Sequence, residues 1–220
     1  YTIETGDGAD NFTLEDGFTG DARINAGDNG IKTLSLNGGT LTHWTSGSGD
    51  DVITSMSGSE ILTPGWDRDN QLFDTQAGND TITLDGKISN YSRIHLGDGD
   101  DNLTLRGGAG NQRNWNPVQI YAGNDNDTIK ISGDNEYYLH VYLGNGDDIY
   151  DASLATNITK YSTVYGDSGD DILIGNDADN QFWGGNDNDS IDGGNGDNQL
   201  YGDAGDDVIE SGSGNDTIDG

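Results

Sequence analysis

Cysteine is absent from the 220 residues, which excludes disulfides, zinc–thiolate sites and cysteine nucleophiles. Proline occurs only 2 times, so although the 36 glycines are about twice the usual 7% share, neither a collagen helix nor a proline-rich linker fits. Hydrophobic residues make up 30% of the chain, too few for a conventional thick core. No apolar run approaches the roughly 20 residues of a membrane span. The opening YTIETGDGAD lacks the basic start and apolar stretch of a signal peptide. The chain begins without methionine and stops at Gly220 inside a motif, and so reads as an excerpt of a longer protein. Basic residues are scarce as well: 9 stand against 40 acids, a net charge of −31, and residues 161–220 contain no Lys or Arg. Such a chain repels phosphate, which excludes nucleic acid and anionic membrane surfaces as partners and leaves cations as the natural ones.

The acids that are present are nearly all of one kind, 35 Asp against 5 Glu. Short carboxylates beside glycine belong to turns and metal loops rather than to disordered acidic tails, which favour Glu, Lys and Pro. From Gly166 the sequence divides into six nonapeptides: GDSGDDILI, GNDADNQFW, GGNDNDSID, GGNGDNQLY, GDAGDDVIE and SGSGNDTID. Glycine dominates the first, second and fourth positions, Asp or Asn fills the sixth, and a bulky apolar residue fills the eighth. Upstream the motif recurs once per longer interval, as TGDGADNFT (5–13), SGSGDDVIT (46–54), LGDGDDNLT (96–104) and LGNGDDIYD (143–151), with weaker copies TQAGNDTIT (75–83) and AGNDNDTIK (122–130). GDNGIKTLS (27–35) keeps the frame but places Lys32 at the sixth position.

Aligned on that position, the series runs Asp10, Lys32, Asp51, Asp80, Asp101, Asp127, Asp148, Asp171, Asp189 and Asp207. Each step is read as one turn of a solenoid. Two residues further on lies an apolar ladder of Phe12, Leu34, Ile53, Ile82, Leu103, Ile129, Tyr150, Leu173, Ile191 and Ile209. The opposing strand supplies Ile3, Asn25, Trp44, Phe73, Ile94, Ile120, Val141, Val164, Phe182 and Leu200, where only Asn25 breaks the pattern and a slip to Ile24 would repair it. No segment carries a sustained helical apolar period.

This repeat resembles the RTX (repeats-in-toxin, hemolysin-type) calcium-binding family, whose consensus is G-G-x-G-x-D-x-U-x. The resemblance implies an all-β, calcium-binding parallel β-roll or β-solenoid of about ten turns. Residues 1–165 would form an irregular part with one calcium motif per turn and insertions, continuous with a regular nonapeptide roll at 166–220. At the spacing of paired strands, ten turns give a rod about 45–50 Å long. The resemblance further implies several calcium ions held between consecutive loops, and a secreted or cell-surface bacterial protein that folds outside the cell.

The expected metal-binding residues are the acids Asp10, Asp51, Asp80, Asp101, Asp127, Asp148, Asp171, Asp189, Asp207 and Asp216. With them go the loop glycines Gly6, Gly8, Gly47, Gly49, Gly97, Gly99, Gly144, Gly146, Gly166, Gly169, Gly184, Gly185, Gly202 and Gly205. Calcium takes six to eight hard oxygens from carboxylates and carbonyls, and glycine lets a loop aim its carbonyls at one point. Metal-free, carboxylates stacked one strand spacing apart would repel by about 3.5 kcal/mol per pair at an effective dielectric near 20. The second edge has Asn180 and Asn198 at its sixth positions, so calcium is expected mainly on the first edge, with a gap at Lys32 because an ammonium cannot ligate a cation.

His95, Tyr121, Tyr142, Tyr165, Trp183 and Tyr201 recur once per turn just after the second ladder and form a candidate ligand face. Stacking along the solenoid is the plainer reading, and a carbohydrate-binding or polysaccharide-processing accessory module is the functional alternative. A hydroxyl row of Thr13, Ser35, Thr54, Thr83 and Thr104, of the kind found on ice-binding solenoids, is cut short at Lys130 and Asp151. Trp66 and Trp115 are expected to cap the core, and His43, His95 and His140 to have ordinary surface roles. No catalytic constellation is legible, so the module is read as non-enzymatic, with calcium and neighbouring domains of the same chain as partners.

Overall fold

The computed structural model describes residues 2–15, 21–27, 29–38, 40–56, 60–61, 72–88, 92–107, 117–133, 138–156 and 162–220. Trp66 and Trp115, expected to cap the core, lie outside them. Period-two alternation produces the local structure: in the strand Val118–Asn124, Val118, Ile120 and Ala122 are buried while Gln119 and Tyr121 point outward. The described residues contain no helix, and none is therefore long and apolar enough to cross a membrane.

Among the described residues the strands form two sheets, one of 13 strands and one of 10; apart from the short extra strands Glu60–Ile61 and Lys87–Ile88 in the larger sheet, successive strands alternate between them, and they pair in parallel within each. The chain therefore winds as a solenoid. In the 10-stranded sheet the pairing follows the first ladder at every step, from Phe12 opposite Leu34 to Ile191 opposite Ile209. In the larger sheet Trp44, Phe73, Ile94, Ile120, Val141, Val164, Phe182 and Leu200 are likewise in register.

The exception falls at Asn25, which is exposed; Ile24 takes the inward place, opposite Ile3 and Trp44. A register shift between Ala22 and Arg23 accompanies the slip, skipping Thr42 on the next strand. The Thr42 hydroxyl donates to the Ala22 carbonyl at 2.9 Å, which gives a carbonyl at the irregularity a partner.

The core between the sheets is one side chain deep on each side. Phe12 meets Trp44 edge-on with ring centroids 5.5 Å apart, and Tyr150 meets Phe182 in the same way at 5.8 Å. A core this thin leaves the loops at either edge close enough to the axis to bury polar groups.

Candidate metal centre

Along one edge, each sixth-position acid reaches back to the turn before it. The backbone N–H groups of Lys32, Asp51, Asp80, Asp101, Asp127, Asp148, Asp171 and Asp189 donate to Oδ1 of the acid one turn later, over 2.7–2.9 Å. The second carboxylate oxygen has no such partner. Oδ2 of Asp51, Asp80, Asp101, Asp127, Asp148, Asp171, Asp189 and Asp207 is buried without a well-formed hydrogen bond, the Ser46 and Thr75 hydroxyls acting only weakly on the Asp51 and Asp80 carboxyls. An unsatisfied buried carboxylate oxygen is costly. Without a cation, burial pushes these carboxyls up: Asp80, Asp127 and Asp171 to about 8, Asp101 to about 7, Asp148 and Asp189 to about 6. Asp51 shifts in the same direction for the same reason.

The loops supply carbonyl oxygens beside these carboxylates. Second and fourth positions take left-handed backbone, as at Gly97 (φ 121°) and Gly146 (φ 135°), and the non-glycine residues Asp167 (φ 76°) and Asp203 (φ 70°) are bent the same way. Glycine at the first position has a different cause. A Cβ on Gly166, Gly184 or Gly202 would collide with Oδ2 of Asp171, Asp189 or Asp207, so the cradle beside each oxygen exists only because the side chain is missing. Gly8, Gly99, Gly144, Gly169 and Gly185 lie in the same loops with left-handed φ. Gly6 is exposed at the first turn and Gly47 is buried. Gly49 and Gly205 lie against the backbone of the preceding turn.

Among the described residues, no three His, Asp or Glu side chains converge on one point. A cation on this edge would accordingly be held by one carboxylate per turn and by backbone carbonyls, a donor set of hard oxygens that suits calcium.

Lys32, where a gap in the calcium row is expected, is surrounded by oxygens. Its side chain is fully buried, and Nζ donates to the carbonyls of Gly8 (2.5 Å) and Asn29 (3.0 Å) and to Oδ2 of Asp10 (3.1 Å), with the Gly6 carbonyl at 3.5 Å. Asp10 Oδ2 also accepts from the Thr5 hydroxyl at 2.9 Å. The Lys32 hydrogen bond, followed by that from Thr5, holds the Asp10 carboxyl below its ordinary value, opposite to the other acids of the edge.

The second edge solves the same problem with amides. Oδ1 of Asn198 accepts from the backbone N–H of Asn180, and Oδ1 of Asp216 from that of Asn198, each at 2.9 Å. Nδ2 of Asn198 then donates to the carbonyls of Gly194, Asn195, Gly196 and Ser211 at 3.2–3.4 Å. Nδ2 of Asn180 donates likewise to Ala178 and Gly193. Because the ladder claims the amide oxygen of Asn198, its NH2 group must face the carbonyls, where it satisfies them and repels a cation, whereas Oδ1 of Asn180 is buried without a partner.

A second ladder was not legible as such in the motif. The fifth-position side chains Asp50, Asn79, Asp100, Asn126, Asp147, Asp170 and Asn188 accept through Oδ1 from the fifth-position N–H of the following turn, at 2.8–3.3 Å. The two ladders run in opposite directions and clasp neighbouring loops. The available signal was the Asx–Asp pair, repeated at 50–51, 79–80, 100–101, 126–127, 147–148, 170–171, 188–189 and 206–207. The exposed fifth position needs only an acceptor and carries either Asp or Asn in these turns, while the buried sixth position on this edge carries no Asn.

The aromatic residues form a continuous stack. From His95 through Tyr121, Tyr142, Tyr165 and Trp183 to Tyr201, successive ring centroids lie 4.6, 4.9, 5.1, 4.9 and 5.2 Å apart, with planes inclined by 25° or less. Asp74 pairs beside His95 and Asp219 beside Tyr201, at the two ends of the column. The ring faces are turned toward one another, leaving mainly edges for solvent.

The RTX calcium-binding nonapeptide repeat family (HemolysinCabind) matches residues 45–71, 165–200 and 192–220, in four copies. No curated protein and no solved structure matches the chain. The matched segments include Asp51 and the run Asp171 to Asp216, and the residues between them repeat the same loop on the same edge. The matched segments carry RTX calcium-binding nonapeptide repeats, and the chain is built as the parallel β-solenoid that such repeats imply.

Proposed function

We propose that the chain is a calcium-dependent structural module of a secreted protein, ordered outside the cell as calcium binds along the edge defined by Asp51 to Asp207. The observation that carries this reading is the row of eight buried Oδ2 atoms without a hydrogen-bond partner. At Asp148 the residues that would hold an ion are Asp148 through Oδ2, the carbonyls of Gly144 and Gly146, and the carbonyl of Ser168 in the next turn. These are the positions that correspond to the oxygens around Lys32 Nζ. Calcium supplies the positive charge that lets stacked carboxylates and carbonyls share one edge. The chain's own residues do the rest: the Oδ1 ladder fixes each carboxylate, and Gly166, Gly184 and Gly202 keep space open at Oδ2 of Asp171, Asp189 and Asp207.

On this reading residues 1–165 and 166–220 are an irregular and a regular part of one roll. The module is non-enzymatic and is placed between neighbouring domains outside the cell or at its surface. A carbohydrate-binding role for the aromatic column is not favoured, because a sugar ring needs an exposed aromatic face and these faces are stacked.

Circular dichroism tests the proposal. In chelator the chain should be coil and should convert to a β spectrum at roughly 0.1–1 mM calcium, the range of extracellular modules. An unchanged β spectrum in chelator overturns it.

A further inference from the structure

We propose that the ammonium group of Lys32 is a built-in cation that takes the place of a bound metal ion between the first two turns, so that this pair of turns closes without calcium. The inference rests on the calcium reading of the edge and concerns the one turn that departs from it.

Three observations carry it. Nζ is buried among oxygens contributed by two consecutive turns: the Gly6 and Gly8 carbonyls and Asp10 Oδ2 from the first, and the Asn29 carbonyl from the second. These atoms belong to the second, fourth and sixth positions of one motif and the third of the next, so the ammonium lies where loops and carboxylate converge. Next, Asp10 Oδ2 has an ammonium donor in Lys32 beside the Thr5 hydroxyl, whereas no cationic group reaches Oδ2 of the eight later acids, and from Asp101 to Asp207 it has no donor of any kind. The orphaned oxygen disappears at the turn where a side-chain cation arrives. Finally, the Lys32 backbone keeps the sixth-position role, its N–H donating to Asp51 Oδ1 at 2.7 Å, so the substitution changes the cation and leaves the ladder in place.

Chemistry makes the exchange workable. An ammonium offers three protons and one positive charge to oxygens near 3 Å, while calcium draws six to eight oxygens to about 2.3–2.6 Å. The tethered charge is present whatever the calcium concentration. The first two turns would then be held together electrostatically before any ion binds.

The test compares bound calcium per chain, by equilibrium dialysis at saturating calcium, for the native chain, Lys32→Asp and Lys32→Met. Lys32→Asp should bind at least one more ion than the native chain, because the oxygens around Asp10 are freed and position 32 regains an acid. Lys32→Met keeps the space beside Asp10 filled by an uncharged stem, so it should gain no ion and should lose hydrogen-exchange protection at residues 10–14 and 32–36. An unchanged count in a Lys32→Asp chain that keeps its protection there overturns the proposal. Should that variant lose its first turns, the native protein decides: nitrogen-15 NMR should show the Lys32 ammonium protons exchanging slowly with water, and exchange as fast as at a solvated lysine overturns the proposal. If the native chain binds no calcium at all, it is the calcium reading of the whole edge that fails, an outcome distinct from either result at Lys32.

Discussion

The backbone N–H of Asp148 donates to Oδ1 of Asp171 at 2.9 Å, while Oδ2 of the same Asp171 carboxylate is buried and unpartnered. One carboxylate thus does two separable things: one oxygen ties adjacent turns together and the other demands a cation. Asp171→Asn should keep the first and abolish the second, copying Asn198, whose amide nitrogen contacts the loop carbonyls directly. The variant is expected to bind one ion fewer while its stability at saturating calcium changes by no more than about 1 kcal/mol. Asp171→Ala also removes the ladder acceptor and should cost about 1–3 kcal/mol. Calcium titration and denaturant unfolding measure both. Equal ion counts for the native and Asn chains would contradict the assignment, and Asn198→Asp should show the reverse, a gain of one ion.

Acid should partly replace calcium. In the metal-free roll the carboxyls of Asp80, Asp101, Asp127 and Asp171 titrate near 7 to 8, raised by burial above the ordinary value of 3.8 that applies when the chain is unfolded. The folded metal-free state therefore holds more protons than the unfolded one. The stability this contributes is complete below the unfolded value and is lost as pH rises through the folded values. In chelator, the β signal should grow as pH is lowered from about 8 to about 5. Over the same interval calcium should bind more weakly and release protons as it binds. A β signal in chelator that grows with rising pH would refute this.

Tyr142 stacks on Tyr121 and Tyr165 with planes 7° and 8° from parallel. Tyr142→Ala removes both contacts from the middle of the column and should lower stability in saturating calcium by about 1 kcal/mol or somewhat more, the scale of aromatic pairs. Thermal unfolding at fixed calcium is the measurement. Unchanged stability combined with weakened binding to a glycan array would return the column to a recognition role.

Much of this architecture is legible in the chain because the repeat is local. A nonapeptide that sets its own turn, strand and inward side chain states its conformation once per copy, and the period-two ladders then fix which turn lies on which. Tyr150 opposite Leu173 and Val164 opposite Phe182 follow from counting residues. The slip from Asn25 to Ile24 was signalled by the broken apolar pattern, but the irregularity that goes with it, the skipped Thr42, lies on the neighbouring strand. The fifth-position ladder was hidden for a similar reason, since its bonds join residues 18 to 29 positions apart.

The sequence by itself determined the period, the inward residues, the edge rich in Asp and the place of the one lysine among them. Only the tertiary structure decided what each of those groups faces. Whether a carboxylate oxygen is satisfied depends on atoms of the next turn, which is why Asp10 is paired while Asp51 is left with a buried bare oxygen. A lysine at a ligand position reads as a lost site when only residue types are known. Folded, its long flexible stem carries the charge back to the preceding turn, into the oxygens of Gly6, Gly8 and Asp10. Burial and direction are properties of the stacked turns, and no single copy of the repeat contains them.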